Sequence, residues 1–210
     1  RVGKGKTPLI LTFDDSSPGQ LRFLPDEKGG YKVDPDCAVG ILESFYARHP
    51  DFGLAAIFYV LPAADPPNKL FNQPEYTQEK LRYLVRKGFE IGNHTLWHAT
   101  LSKQSPEGVR RQLALAVKAI KEAVPGYEVK SLSLPMGIYP KDTSTLLNGS
   151  FEGISYHHKG VMMVTGGPAV PPSHKSFDPL RIPRIQAVER EINYWLRYFD
   201  EHPGERYASQ

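Results

Sequence analysis

Pro8-Leu9-Ile10-Leu11-Thr12-Phe13-Asp14-Asp15 opens as an apolar run with β-branched and aromatic side chains and stops on two carboxylates. Such a run reads as a buried strand whose carboxyl end is Asp14 and Asp15. Outward from it, Leu54–Leu61, Phe89–Ile91 and Val129–Leu134 read as further strands, with apolar segments at Val161–Thr165 and Leu180–Ile185. Helices fall between them. Pro35–His49 carries Ala38, Ile41, Leu42 and Phe45 on one side, and Thr77 caps a helix running to Lys87 and ended by Gly88. Ser105-Pro106-Glu107 opens the clearest helix, closed by Pro125-Gly126, and Glu189–Phe199 is the last. Strands alternating with helices argue for an α/β fold with a mainly parallel sheet. Ser16–Asp36 is rich in Gly and Pro and reads as a long loop serving a site or lid, and 166–179 as an extended loop within the domain.

Composition excludes several function classes. The 210 residues are 40% hydrophobic and 11% aromatic, enough for a packed core. The 26 basic and 23 acidic side chains leave a scattered +3 charge, so no nucleic-acid partner is expected. No run of about eighteen apolar residues is present, so no transmembrane segment is expected in this chain. Cys37 is the single cysteine; no intrachain disulfide is possible, and a small buried apolar role is expected. The chain is expected to be one catalytic domain over 1–210. Its basic, glycine-containing residues 1–7 read as a trimmed extension, which suggests an extracellular or cell-envelope location with a signal or anchor removed before Arg1.

Three chemistry-bearing events fall at the carboxyl ends of strands, where parallel α/β folds place their sites. These are Asp14-Asp15, His94 to His98, and Leu134-Pro135-Met136-Gly137. His94 and His98 are spaced i, i+4, which puts two imidazoles on one face of a helical turn. With one carboxylate they form a two-histidine, one-carboxylate donor set that leaves positions open for water and substrate. A divalent ion so held acidifies its water and polarises a carbonyl, and a second carboxylate can take the proton. Adjacent aspartates at a strand end diverge, so one can ligate while the other faces substrate.

Thr12-Phe13-Asp14-Asp15 resembles the first motif of the polysaccharide deacetylases, carbohydrate esterase family 4. Asn93-His94-Thr95-Leu96-Trp97-His98, after Gly88-Phe89-Glu90-Ile91-Gly92, resembles the second, and Ala55–Val60 resembles the strand between them. The resemblance runs in order from Pro8 to about Pro140. It implies a distorted (β/α) barrel of seven strands, with Asp14 as general base and Asp15, His94 and His98 as ligands of a divalent metal. That metal is typically Zn2+, with Co2+ or Ni2+ accepted by related enzymes. The implied activity is removal of N-acetyl groups from peptidoglycan, chitin or a poly-N-acetylglucosamine; some members act on O-acetyl xylan.

The third motif of the family ends Arg-x-Pro-[Tyr/Phe]-Gly, whereas this chain reads Ser133-Leu134-Pro135-Met136-Gly137. The turn is kept, and the Met136 N–H is expected to donate to an oxyanion. Ser133 brings no positive charge, so another arginine must support Asp14. Arg184 is preferred over Arg181, since either would be aimed by the strand Leu180–Ile185. The family's late Leu-x-His motif is absent, and His157, His158, His174 and His202 read as satisfied or surface residues. Trp97, Pro135 and Tyr139 are the expected substrate-binding residues. Two other readings fit the departures: a carbohydrate-binding module that keeps the metal site with little turnover, or an O-acetyl esterase.

Overall fold

The computed structural model describes residues 3–27 and 29–209. Along the chain its strands are β1 (Leu11–Phe13), β2 (Phe23–Pro25), β3 (Tyr31–Val33), β4 (Ala56–Val60), β5 (Glu90–Asn93), β6 (Ser131–Ser133), β7 (Asn148–Phe151), β8 (Ile154–His157), β9 (Gly160–Gly166) and β10 (Ile182–Arg184). The α-helices are α1 (Ala38–Arg48), α2 (Thr77–Arg86), α3 (Pro106–Ala123) and α4 (Glu189–Glu201). Six strands form one parallel sheet in the order β1-β4-β5-β6-β9-β10. Phe13 lies opposite Phe58, Val60 opposite Asn93, Asn93 opposite Leu132, and Ser133 opposite Met162. These registers bring Asp14, His94 and Ser133 out at one edge, the carboxyl ends of the strands.

The core follows from alternation of apolar strands and one-sided helices. On α3, Val109, Leu113, Val117 and Ile120 repeat at helical spacing and are all buried. They belong to the same core as Phe58, Val60, Ile91, Leu132 and Val161 of the sheet. Each such side chain contributes roughly 1.5–3 kcal/mol by leaving water. Ser105 caps α3 by accepting from the Gly108 N–H at 3.1 Å, as its sequence position predicts.

Several expectations are corrected. The expected α/β architecture is present, with six sheet strands among the described residues where the resemblance implied seven; the segment between β6 and β9 forms the β7–β8 hairpin packed on α3. The first strand is shorter than Pro8–Phe13, and Leu9 and Ile10 are exposed; among the described residues β1 is the terminal strand, paired only with β4. The 16–36 loop contains the β2–β3 hairpin. On α1 the buried residues are Val39 and Gly40, while Ile41 is exposed, since Gly40 approaches the Asp34 carbonyl too closely for a Cβ. Thr77 begins α2 without capping it. Of the stretch 1–7, residues 1 and 2 lie outside the described residues; Gly5 and Lys6 exchange backbone hydrogen bonds with Ser209.

Candidate metal centre

His94 leaves β5 fully buried. Its Nδ1 lies 2.8 Å from the Ser133 carbonyl oxygen, which can only accept, so Nδ1 carries the proton and Nε2 a lone pair. Nε2 has no hydrogen-bond partner although it is buried. Asp15 Oδ1, 3.2 Å away, sits outside hydrogen-bond geometry. His98 Nε2 is 3.3 Å from the same oxygen. Burial, then the neighbouring His94, push His98 below the ordinary imidazole value, which favours its lone-pair-bearing form.

Three lone-pair donors thus converge with nothing to accept from them. The donor atoms of Asp15, His94 and His98 all lie within 4.8 Å of one another. Ligand bonds of about 2.0–2.2 Å at a tetrahedral angle require donors about 3.3 Å apart, which matches the two measured separations from Asp15. The residues fit a divalent cation.

The geometry does not come from a helical turn, contrary to the i, i+4 expectation. Residues 94–100 are irregular, and Thr95 and His98 adopt left-handed φ values of 70° and 64°. Side chains fix this loop. Asn93 Oδ1 accepts from the Thr95 N–H, Thr95 Oγ1 from the Ala99 N–H, and the buried Gln112 of α3 from the Leu96 N–H. Asp15 and Ser16 are also left-handed (φ 77° and 44°), and Ser16 is pinned by bonds to the Asn68 carbonyl and the Leu61 N–H. Strain at four positions around one centre fits a site over-determined by its surroundings.

Beside the triad, Asp14 is gripped by Arg184. Nη1 and Nη2 donate to its two carboxylate oxygens at 2.9 and 2.7 Å. Nε donates to the Met163 carbonyl at 2.5 Å, Nη1 also to Thr12 Oγ1 and Nη2 also to Ser133 Oγ, both at 3.0 Å. All five guanidinium N–H groups are used. Burial alone would raise the Asp14 carboxyl; the Arg184 guanidinium, with smaller help from the Ser133 hydroxyl, outweighs it and holds the group below its ordinary value. The sheet has no β10–β1 ladder among the described residues. Arg184 spans that seam with side-chain bonds instead.

Arg181 lies elsewhere, 4.7 Å over the Tyr139 ring and near Asp178. Ser133 is the residue that sequence reasoning undervalued. Its hydroxyl donates to Asp14 Oδ2 at 2.9 Å while its carbonyl orients His94. A strand-end position after an apolar run was the only available signal. Met136 adopts φ 57° in the short turn Pro135–Gly137 that follows β6, and Pro135 is buried. Trp97 is exposed next to His98. Tyr139 is less available: its hydroxyl donates to the Leu180 carbonyl and one face carries Arg181. Buried His158 is satisfied by the Leu146 carbonyl and Asn93, and His157, His174 and His202 are exposed; none belongs to the donor cluster.

An open parallel α/β barrel with an Asp-His-His donor set at its carboxyl edge defines a protein built to hold a metal beside an ionised carboxylate. The sequence matches the polysaccharide deacetylase family over residues 36–149, and the chain belongs to that family. The match includes His94, His98 and Ser133; Asp14, Asp15 and Arg184 join them through the fold. A chitooligosaccharide deacetylase of Bradyrhizobium sp. (strain ANU 289) is 35% identical over 157 residues, covering 75% of this chain and 58% of that protein. One of Sinorhizobium fredii (strain NBRC 101917 / NGR234) is 37% identical over 148 residues, covering 69% and 54%. The chain therefore spans a little over half the length of these curated relatives. Among solved structures, the Streptococcus pyogenes deacetylase PplD in complex with acetate aligns with a TM-score of 0.62 at 17% identity, covering 89% of this chain and 68% of that one, a likeness of fold. No described helix is long and apolar enough to cross a membrane.

Proposed function

We propose that this chain hydrolyses N-acetyl groups on a glycan of the chitin, peptidoglycan or poly-N-acetylglucosamine type, using Asp14 as base. The observation that carries this reading is an unpartnered, buried His94 Nε2 together with an Asp14 carboxylate kept ionised by Arg184, the two linked through Ser133. Asp15, His94 and His98 would hold a divalent ion, zinc first, which when bound acidifies water and polarises the acetyl carbonyl. Asp14 accepts the proton from the attacking water, with Oδ1 carrying one bond from Arg184 and Oδ2 carrying two. Arg184 is saturated, so it positions the base and leaves substrate contacts to others. Ser133 fixes the base through its hydroxyl and His94 through its carbonyl. The Met136 N–H, in the turn that follows β6, is the donor assigned to the developing oxyanion. Asp14 returns its proton to the leaving amine.

The test is acetate release from tetra-N-acetylchitotetraose after loading with Zn2+, in parallel with acetylated xylan. Wild-type protein releases acetate from the first substrate, and Asp14→Asn does not. Full activity in Asp14→Asn would show that the base is misassigned, and release from xylan alone would move the reaction to O-acetyl esters.

A further inference from the structure

We propose that His158 is a positioning residue for the metal centre: through the side-chain amide of Asn93 it fixes the backbone turn that presents His94. This rests on the reading of Asp15, His94 and His98 as metal ligands. His158 follows β8, where the chain returns from the β7–β8 hairpin, and is buried. Its Nδ1 lies 2.7 Å from the Leu146 carbonyl oxygen, which can only accept, so Nδ1 carries the proton and Nε2 a lone pair. That lone pair lies 3.2 Å from Asn93 Nδ2, and only the amino end of an amide can donate to it.

One proton thereby decides which way the buried Asn93 amide faces. Nδ2 donates to His158 and, at 3.0 Å, to the Leu113 carbonyl of α3, which leaves Oδ1 to accept from the Thr95 N–H at 2.8 Å. Turned over, the amide would set its oxygen against the His158 lone pair and the Leu113 carbonyl, and its amino group against the Thr95 N–H. All three contacts would be lost in a place that water does not reach. The bond from Thr95 to Asn93 spans His94, and an Asn side chain that closes a turn over the next residue fixes that residue's backbone. Thr95 is left-handed, a conformation that a β-branched residue keeps only where its surroundings hold it. Its hydroxyl accepts in turn from the Ala99 N–H, beyond His98. The bonds therefore run from His158 through Asn93 and Thr95 to the backbone flanking both imidazole ligands.

The experiment measures Zn2+ affinity by chelator competition, and urea unfolding of the metal-free protein, in wild type, His158→Phe and His158→Gln. Phenylalanine keeps a ring to stack on Tyr156, whose centroid is 5.2 Å from that of His158, and removes both nitrogens. Glutamine restores one donor and one acceptor. Zn2+ binding roughly tenfold weaker in His158→Phe, and within about twofold of wild type in His158→Gln, is expected of a group that supports a ligand from behind. A histidine that only fills the core would lower the urea midpoint and leave Zn2+ affinity alone. Unchanged affinity in His158→Phe, or equal losses in both variants, would therefore overturn the proposal. Should His158→Phe not fold, nitrogen NMR of wild type reads the tautomer directly: the proton is expected on Nδ1, and a proton on Nε2 overturns the proposal. Wild-type protein that binds no Zn2+ would instead remove the metal reading itself, and the proposal with it.

Discussion

Replacing Arg184 with Met keeps an unbranched stem as far as the ε position and removes every one of its five hydrogen-bond donors. Asp14 loses both Nη contacts and retains only Ser133 Oγ. The pair is mostly buried, with side-chain exposures of 14% for Arg184 and 22% for Asp14. Leaving a buried carboxylate without its partner costs about 3–5 kcal/mol, and the residual exposure of Asp14 places this case near about 3 kcal/mol. For a chain of this size that lowers Tm by roughly 6–12 °C. Urea unfolding of wild type, Arg184→Met, Asp14→Asn and the double variant closes a thermodynamic cycle. Coupling of about 2 kcal/mol or more is expected, because removing the carboxylate first leaves less for the second substitution to lose. A loss below about 1 kcal/mol, or additive effects, would refute the view that this ion pair closes the seam.

His158 has its imidazole pushed down to about 4, mainly by burial, against an ordinary value of 6.5. Between those values the unfolded chain binds a proton that the folded chain refuses, so stability falls as pH drops from 6.5 to 4, by about 3 kcal/mol in total. Unfolding at pH 7 and pH 4 should show that much less loss in His158→Gln; identical losses would refute it. Gly92→Ala would set a Cβ 2.3 Å from the buried Tyr59 ring, and calorimetry should record a loss of about 1–3 kcal/mol. Ser133→Ala removes the bond to Asp14 while keeping the carbonyl that orients His94. A roughly tenfold lower kcat with unchanged KM and unchanged Zn2+ affinity by chelator competition is expected; weakened Zn2+ affinity would mean that the hydroxyl also serves the ligands.

Much of this architecture is legible in the sequence because the apolar runs and helical stripes are strong, as on α3. The β7–β8 hairpin escaped because its strands are short and polar and its turn is Glu-Gly, a weak signal beside Asn-Gly. The spacing of His94 and His98 points to a pair that does converge, but not through a helical turn. Their convergence depends on left-handed backbone at Thr95 and His98, stabilised by Gln112 from another element, which no local pattern encodes. Arg184 could be narrowed to two candidates by strand-end placement, and only the three-dimensional seam separates it from Arg181. The Ser133 contribution to His94 is made by a main-chain carbonyl, which any residue would bring, so its identity carried no sign of it.

The seam between β1 and β10 also sets an order of assembly. Asp14 and Arg184 are 170 positions apart, whereas Asp15, His94 and His98 all belong to the first half of the chain. During synthesis the ligand triad can gather on β1, β4 and β5 well before β10 emerges, and contacts of such long separation form late. A nascent or truncated chain would therefore present a place for the metal while its base stood unsupported, and competence would arrive with the last strand.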